Sequence, residues 1–287
     1  MKKTVLLICL SAVGLFAEVT TVVPYIGLID YSAELDESEK DSSTFGGVYA
    51  SYGNLNYLLE FGYSHINSTY KNKTYESLNQ DDISLIYSSY SENFMYKIGA
   101  HHIQTNDVIL GSGNVFISTL GGYTFSGYDK YSYGLEGYFS LYNDIPSETG
   151  KDSSMSVLQF TPYFSIYQGL SQTVSNSLTL KLNYVIAMKY LSDDFLSFEI
   201  SDTFYYRGFF VTLKAYSGEM RNGVKDGGMS VYNSLDVLKD GYGADIGYYL
   251  TKDFTLSVSY NQNNYLEYFK VKETSNSVAY ATLSYSF

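Results

Sequence analysis

The chain has 287 residues, with 33 Tyr and 17 Phe but no Trp, only 18 Lys+Arg and 3 Pro, and a formal net charge of −12 at pH 7. Disordered chains are poor in aromatic and apolar residues, so this composition excludes one. The acidity and the lack of a basic stripe exclude a nucleic-acid partner. Beyond residue 17 no apolar run approaches the roughly 18–20 residues of a membrane-spanning helix.

Lys2 and Lys3 precede an apolar stretch from Val5 to Phe16 and a small residue, Ala17. That is the layout of a secretory signal, too short to span as a helix. It predicts a signal segment over 1–17 and a single domain over 18–287. Cleavage would remove Cys9, the one cysteine, leaving no disulfide and no Cys-ligated metal.

From there the period is two. Thr20–Tyr31 is the first strand candidate, although apolar residues occupy both of its faces and alternation leaves its register open. The acidic run Glu34, Asp36, Glu37, Glu39 and Asp41 lacks the Asp-x-Asp-x-Asp-Gly spacing of a calcium loop and reads as a solvated connection. Val115–Phe125 is again apolar on both sides. In Tyr131–Asn143, Tyr133, Leu135, Phe139 and Leu141 oppose Ser132, Gly134, Glu136, Ser140 and Tyr142. In Ser177–Tyr190, Leu178, Leu180, Leu182, Tyr184, Ile186 and Met188 oppose Thr179, Lys181, Asn183, Val185, Ala187 and Lys189. Leu196/Phe198/Ile200 and Phe254/Leu256/Val258/Tyr260 repeat the pattern. Successive strand side chains point to opposite faces, so each stretch is a strand with one apolar side.

Tight links near Gly53-Asn54, Ser91-Glu92, Gly127–Lys130, Arg207-Gly208 and Thr251–Asp253 alternate with long polar segments at Glu34–Ser43, Thr69–Leu78, Asp144–Ser154 and Ser217–Gly241. Transmembrane barrels have this asymmetry of short periplasmic turns and long outer loops. The expectation is an all-β, closed antiparallel transmembrane β-barrel of about 14 strands, with 12 or 16 also compatible, set in the outer membrane with both termini periplasmic. Its apolar face would meet lipid and lipopolysaccharide, with Tyr and Phe forming the interfacial girdles. Its polar face carries Glu60, Lys97, Glu136, Lys181, Lys189, Glu199, Lys214 and Asp245, the candidate pore-lining residues. Fourteen strands enclose a lumen too wide for wall side chains to fill, which points to a water-filled interior of mixed sign.

The chain ends Tyr280-Ala-Thr-Leu283-Ser-Tyr285-Ser-Phe287. This resembles the terminal strand of Gram-negative outer-membrane β-barrel proteins, and size and strand count resemble the small monomeric 14-stranded porins. The resemblance implies that Tyr280, Leu283, Tyr285 and Phe287 form a signal read by the outer-membrane assembly machinery.

No residues present themselves for catalysis, cofactor or metal. His65, beside Tyr63, is followed two residues on by Asn67, and His102 by Gln104, so neither has the Ser at that spacing which a lipid hydrolase would need. His101 and His102 are adjacent in a strand and diverge. The leading expectation is therefore a porin-like channel for passive diffusion of small hydrophilic solutes. Three rivals stand against it: a non-conducting structural or adhesin-type barrel, an outer-membrane lipid hydrolase, and a hydrophobic-compound channel. The last would resemble the 14-stranded fatty-acid channels, which carry an N-terminal plug that the few residues before Thr20 cannot build. Ser217–Gly241 is the longest connection, and Val231, Tyr232, Leu235, Val237 and Leu238 follow its flexible Gly227-Gly228. Connections of this length without regular structure are usually functional or disordered, and the sequence leaves open whether this one enters the mouth or stays outside.

Overall fold

The structure, a computed structural model, describes residues 19–31, 40–72, 76–106, 111–146, 152–188, 193–267 and 273–287. The expected signal segment and four members of the acidic run (Glu34, Asp36, Glu37 and Glu39) lie outside the described residues, while Asp41 is exposed near the start of a strand.

Sixteen strands form among the described residues. They are β1 (Val19–Tyr31), β2 (Lys40–Gly53), β3 (Tyr57–Tyr70), β4 (Leu78–Tyr90), β5 (Phe94–Thr105), β6 (Gly113–Ser126), β7 (Asp129–Pro146) and β8 (Asp152–Ser171). Then come β9 (Val174–Met188), β10 (Asp194–Tyr206), β11 (Phe209–Met220), the two-residue β12 (Val224–Lys225) and β13 (Ser230–Val231), β14 (Val237–Tyr249), β15 (Phe254–Leu266) and β16 (Glu273–Ser286). Fourteen of them, all but β12 and β13, close into one antiparallel barrel in which neighbours in sequence are neighbours in space and β1 meets β16. The seam is complete to its last rung. Thr21 pairs with Ser286, and Phe287 and Thr20 exchange N–H···O bonds of 2.9 Å in both directions.

The connections sort by end as expected. Turns 54–56, 91–93, 127–128, 172–173, 207–208 and 250–253 lie at one end, and the longer connections at the other. The boundaries differ from those read in the sequence. β11 runs on to Met220 and β14 resumes at Val237, with Ser217↔Asp240 and Met220↔Leu238 still paired, so only 221–236 is a true connection.

The two faces also separate as the alternation predicts. Ile26 is 71 % exposed, Leu213 60 % and Leu256 45 %, a density of outward apolar side chains that only lipid accommodates. At the short-turn end the outward aromatics touch one another. Phe209 lies 4.4 Å from Tyr248, and Phe254 lies 4.5 Å from Tyr285, which in turn lies 5.1 Å from Phe287. These rings make an interfacial girdle without tryptophan.

The interior is not the open, watery space that strand number implied. Ile86, Ile103, Val115, Ile117, Tyr138, Val157, Val185, Met220 and Val224 are buried together inside the wall. A lumen too wide for wall side chains to fill is filled instead by chain, the connection between β11 and β14. Each large apolar side chain removed from water there contributes about 1.5–3 kcal/mol.

Facing has a direct test. Leu182 is 43 % exposed on the outer face, so Leu182→Arg is expected to cost about 2–4 kcal/mol near the bilayer midplane and to abolish the gel shift between unboiled and boiled protein. Asn183 on the inner face is a poor control, because its amide is buried between Gln159, Thr161, Ser197 and Glu199. Ser201→Arg, beside an internal cavity, is expected to fold and keep the shift.

Candidate functional site

The connection 221–236 turns into the barrel and folds as a small hairpin. β12 and β13 pair through Val224↔Val231 and Lys225↔Ser230, and Tyr232 N–H donates to the Gly223 carbonyl at 2.8 Å. A single 3₁₀ turn over Asp226–Gly228 reverses the chain at the tip. The reversal needs left-handed backbone at Asp226 (φ 51°), Gly227 (φ 65°) and Gly228 (φ 104°). Gly228 is required twice over, since a Cβ there would also sit 2.3 Å from Ile117 Cδ1.

Wall residues from distant strands fasten the hairpin. Gln159 on β8 uses both ends of its amide on Val224, donating Nε2–H to the carbonyl at 2.9 Å and accepting the N–H at 2.8 Å. A side chain thus supplies the pairing that another strand would give. His101 on β5 is 2 % exposed, and its Nδ1–H donates to the Gly228 carbonyl at 3.0 Å. Its Nε2 faces Asp82 Oδ1 at 3.5 Å, too long for a good hydrogen bond. Gln80 accepts from Asn233 at 3.3 Å, and Ser84 Oγ reaches Met229 Sδ at 3.1 Å. Lys40 on β2 pairs with Asp236 at 2.5 Å, and its ammonium lies 5.7 Å from the ring centres of both Tyr31 and Tyr265. Burial, then the Asp236 carboxylate, push the Tyr232 phenol well above its ordinary value.

The candidate pore-lining residues all turn inward where described, and they find one another. Glu60 faces Lys97 at 3.5 Å, Glu136 holds Lys181 at 3.0 Å, and Lys214 pairs with Asp245 at 2.5 Å. Glu199 faces the hairpin's own Lys225 at 3.7 Å. Lys189 lies outside the described residues. Of the terminal set, Leu283, Tyr285 and Phe287 point outward, whereas Tyr280 turns into the lumen. The histidines stay apart. His65 Nδ1 and Tyr63 Oη both meet Asp81 Oδ1 on the outer face, at 3.0 and 2.8 Å, and His102 meets Asn114 there at 2.9 Å. Among the described residues no group of His, Cys, Asp or Glu has a metal-binding arrangement.

Two cavities remain around the hairpin. The first, about 570 Å³, lies between the hairpin and the wall formed by β1–β5 and β14–β16; Tyr25, Ile29, Phe45, Ile66, Met229 and Val278 make its apolar and aromatic part, and Lys40, Gln80, Asp82, His101 and Asp226 are among the polar groups that line the rest. The second, about 390 Å³, faces β9–β11 and is bounded by Lys181, Glu199, Lys214 and Tyr216. Both reach Lys225, Asp226, Ser230 and Tyr280, so the hairpin tip is their common boundary. Toward the short-turn end the inner wall carries hydroxyl pairs such as Ser165–Thr179, Thr203–Thr212 and Ser257–Thr282, at 2.6 to 2.9 Å. No local pattern marks Gln80, Asp82, His101, Gln159, Lys225 or Asp226 as parts of one site. Their meeting depends on the hairpin's entry.

No family model and no curated protein matches this chain. Solved structures do. A monoaromatic hydrocarbon channel, CymD, superposes with a TM-score of 0.54 at 8 % identity, over 94 % of this chain and 88 % of its own. The toluene transporter TbuX of Ralstonia pickettii gives 0.53 at 8 % identity over 95 % and 90 %. CdiB from Acinetobacter baumannii gives 0.55 at 9 % identity over 95 % of this chain but 60 % of its own. At such identities the likeness is one of fold, a closed antiparallel β-barrel.

The expectation of a hydrophilic diffusion pore is overturned. A hairpin fastened to the walls of β2, β4, β5, β8 and β10 occupies the lumen, and the first two of these neighbours are named for aromatic hydrocarbons. A plug need not come from the N-terminus, so the lack of one there does not count against a hydrophobic-compound channel. Here an internal connection enters the barrel. Gln159→Ala would leave both Val224 backbone groups buried and unpaired, at about 1–3 kcal/mol each. The barrel is expected to keep its gel shift while amides of 221–236 exchange at least tenfold faster in hydrogen–deuterium exchange.

Proposed function

We propose that the protein is an outer-membrane channel for small apolar and aromatic compounds, which it takes up in the first cavity beneath the inward hairpin. The observation that carries this is the cavity itself, about 570 Å³ and lined by Tyr25, Ile29, Phe45, Ile66, Met229 and Val278. An apolar cavity of about 150 Å³ already suffices for benzene, and ligand pockets of about 300–1,000 Å³ are typically apolar with a few placed polar groups. The names of CymD and TbuX point to the same class of compound.

The same reading sets the short-turn end toward the periplasm and residues 1–17 as an export signal. The outward Leu283 and Tyr285 of β16, with Phe287 just beyond it, then present the terminal pattern to the assembly machinery. Purified barrel is expected to bind toluene saturably, and proteoliposomes carrying it are expected not to swell in glucose. Ile66→Trp, which fills the cavity from β3, is expected to weaken toluene binding at least tenfold while the barrel still folds. Glucose-driven swelling without toluene binding would overturn the proposal.

A further inference from the structure

We propose that the junction of the two cavities is a binding site for a small aromatic amine, with the Asp226 carboxylate as its counter-ion. The inference rests on the reading of the lumen as a ligand site and narrows the class of ligand it takes.

Asp226 sits at the hairpin tip, exposed to the lumen, and lines both cavities. Its backbone is left-handed at φ 51°, a region non-glycine residues seldom occupy, and the turn holds its carboxylate where the cavities meet. The other acids of the interior are committed. Glu60, Glu136, Glu199, Asp236 and Asp245 each have a lysine, and Asp82 accepts from Ser64 and Gln80 at 3.1 Å. Among the described residues Asp226 has neither an ion pair nor a side-chain hydrogen bond. The lysines around it, Lys97, Lys214 and Lys225, pair with Glu60, Asp245 and Glu199, and Lys214 also feels the charge of Asp226.

The lumen already shows how it holds an ammonium. Lys40 lies between the Asp236 carboxylate and the rings of Tyr31 and Tyr265. Lys225 lies between Glu199 and the ring of Tyr216, 4.1 Å from its centre. Carboxylate on one side and tyrosine face on the other is the same device in both, and each half favours a cation. The same kinds of group lie around Asp226, for Tyr25 and Tyr280 line the first cavity with it and Tyr216 and Tyr280 the second, while it has no salt-bridge partner among the described residues of the lumen. A protonated amine on a small aromatic body supplies what is missing: the ammonium meets Asp226, and the ring enters the apolar first cavity.

Full-length barrel in detergent, wild type and Asp226→Asn, can be titrated at pH 7 with benzylamine, toluene and benzoate by ligand-detected saturation-transfer NMR. Gel shift on heating shows that the variant is folded. Benzylamine is expected to bind the wild type roughly tenfold more tightly than toluene, as a charge-assisted contact implies, with benzoate the weakest. Asp226→Asn is expected to reduce benzylamine binding to the level of toluene measured on the same variant. Toluene binding with no preference for the amine, or a preference that survives in Asp226→Asn, overturns the site and leaves the channel reading standing. Asp226-dependent amine binding without toluene binding supports the site and overturns the hydrocarbon reading. Binding of neither overturns both.

Discussion

Everything in this molecule follows from the absence of water around its wall. A backbone N–H or C=O left unpaired in lipid costs several kcal/mol, so a sheet can stand there only when it has no edge. The chain meets that demand with fourteen antiparallel strands and a seam in which Thr20 and Phe287 bond each other twice. The outward side chains then have only to be apolar, and Ile26, Leu213 and Leu256 are. The inward ones are free to differ, and the differences along the inner wall make the site.

Closure creates a second problem. The diameter of a barrel grows with its strand number, and the wall of this one cannot pack against itself across the lumen. The connection 221–236 solves this by behaving as a strand pair without a sheet. Its hairpin pairs internally through β12 and β13, and the Gln159 amide supplies Val224 with backbone-like bonds on its open side. Around that contact Met220, Val224 and Tyr138 form a core in a place where a porin would hold water. What remains unfilled is divided by the tip into an apolar space and a charged one.

The wall was legible in the sequence because lipid and lumen demand opposite chemistry. Leu178–Met188 alternates cleanly since Leu182 meets lipid while Lys181 meets Glu136. Two stretches resisted, Thr20–Tyr31 and Val115–Phe125, and the structure gives the reason. On β1 the inward Tyr25, Ile29 and Tyr31 line the first cavity, and on β6 the inward Val115 and Ile117 are buried, Ile117 against Gly228. Both faces there are apolar, one for the membrane and one for the interior. The loss of alternation was itself the trace of an apolar lumen, and it weighed more than the ion pairs that suggested water. The hairpin stayed hidden for another reason: its partners, Lys40, Gln80, His101 and Gln159, come from four strands and converge only after the barrel has closed.

The seam also governs the order of assembly. Thr21 and Ser286 are 265 positions apart, while every other strand pair joins strands that are near neighbours along the chain. Hairpins can therefore form early and locally, but β1 carries one bare edge until β16 arrives. During that interval the nascent sheet has two open edges, the condition under which strands pair with the wrong molecule. The long loop closure sets a slow final step. A barrel whose seam joins its first strand to β16 has to be shielded until β16 is in place.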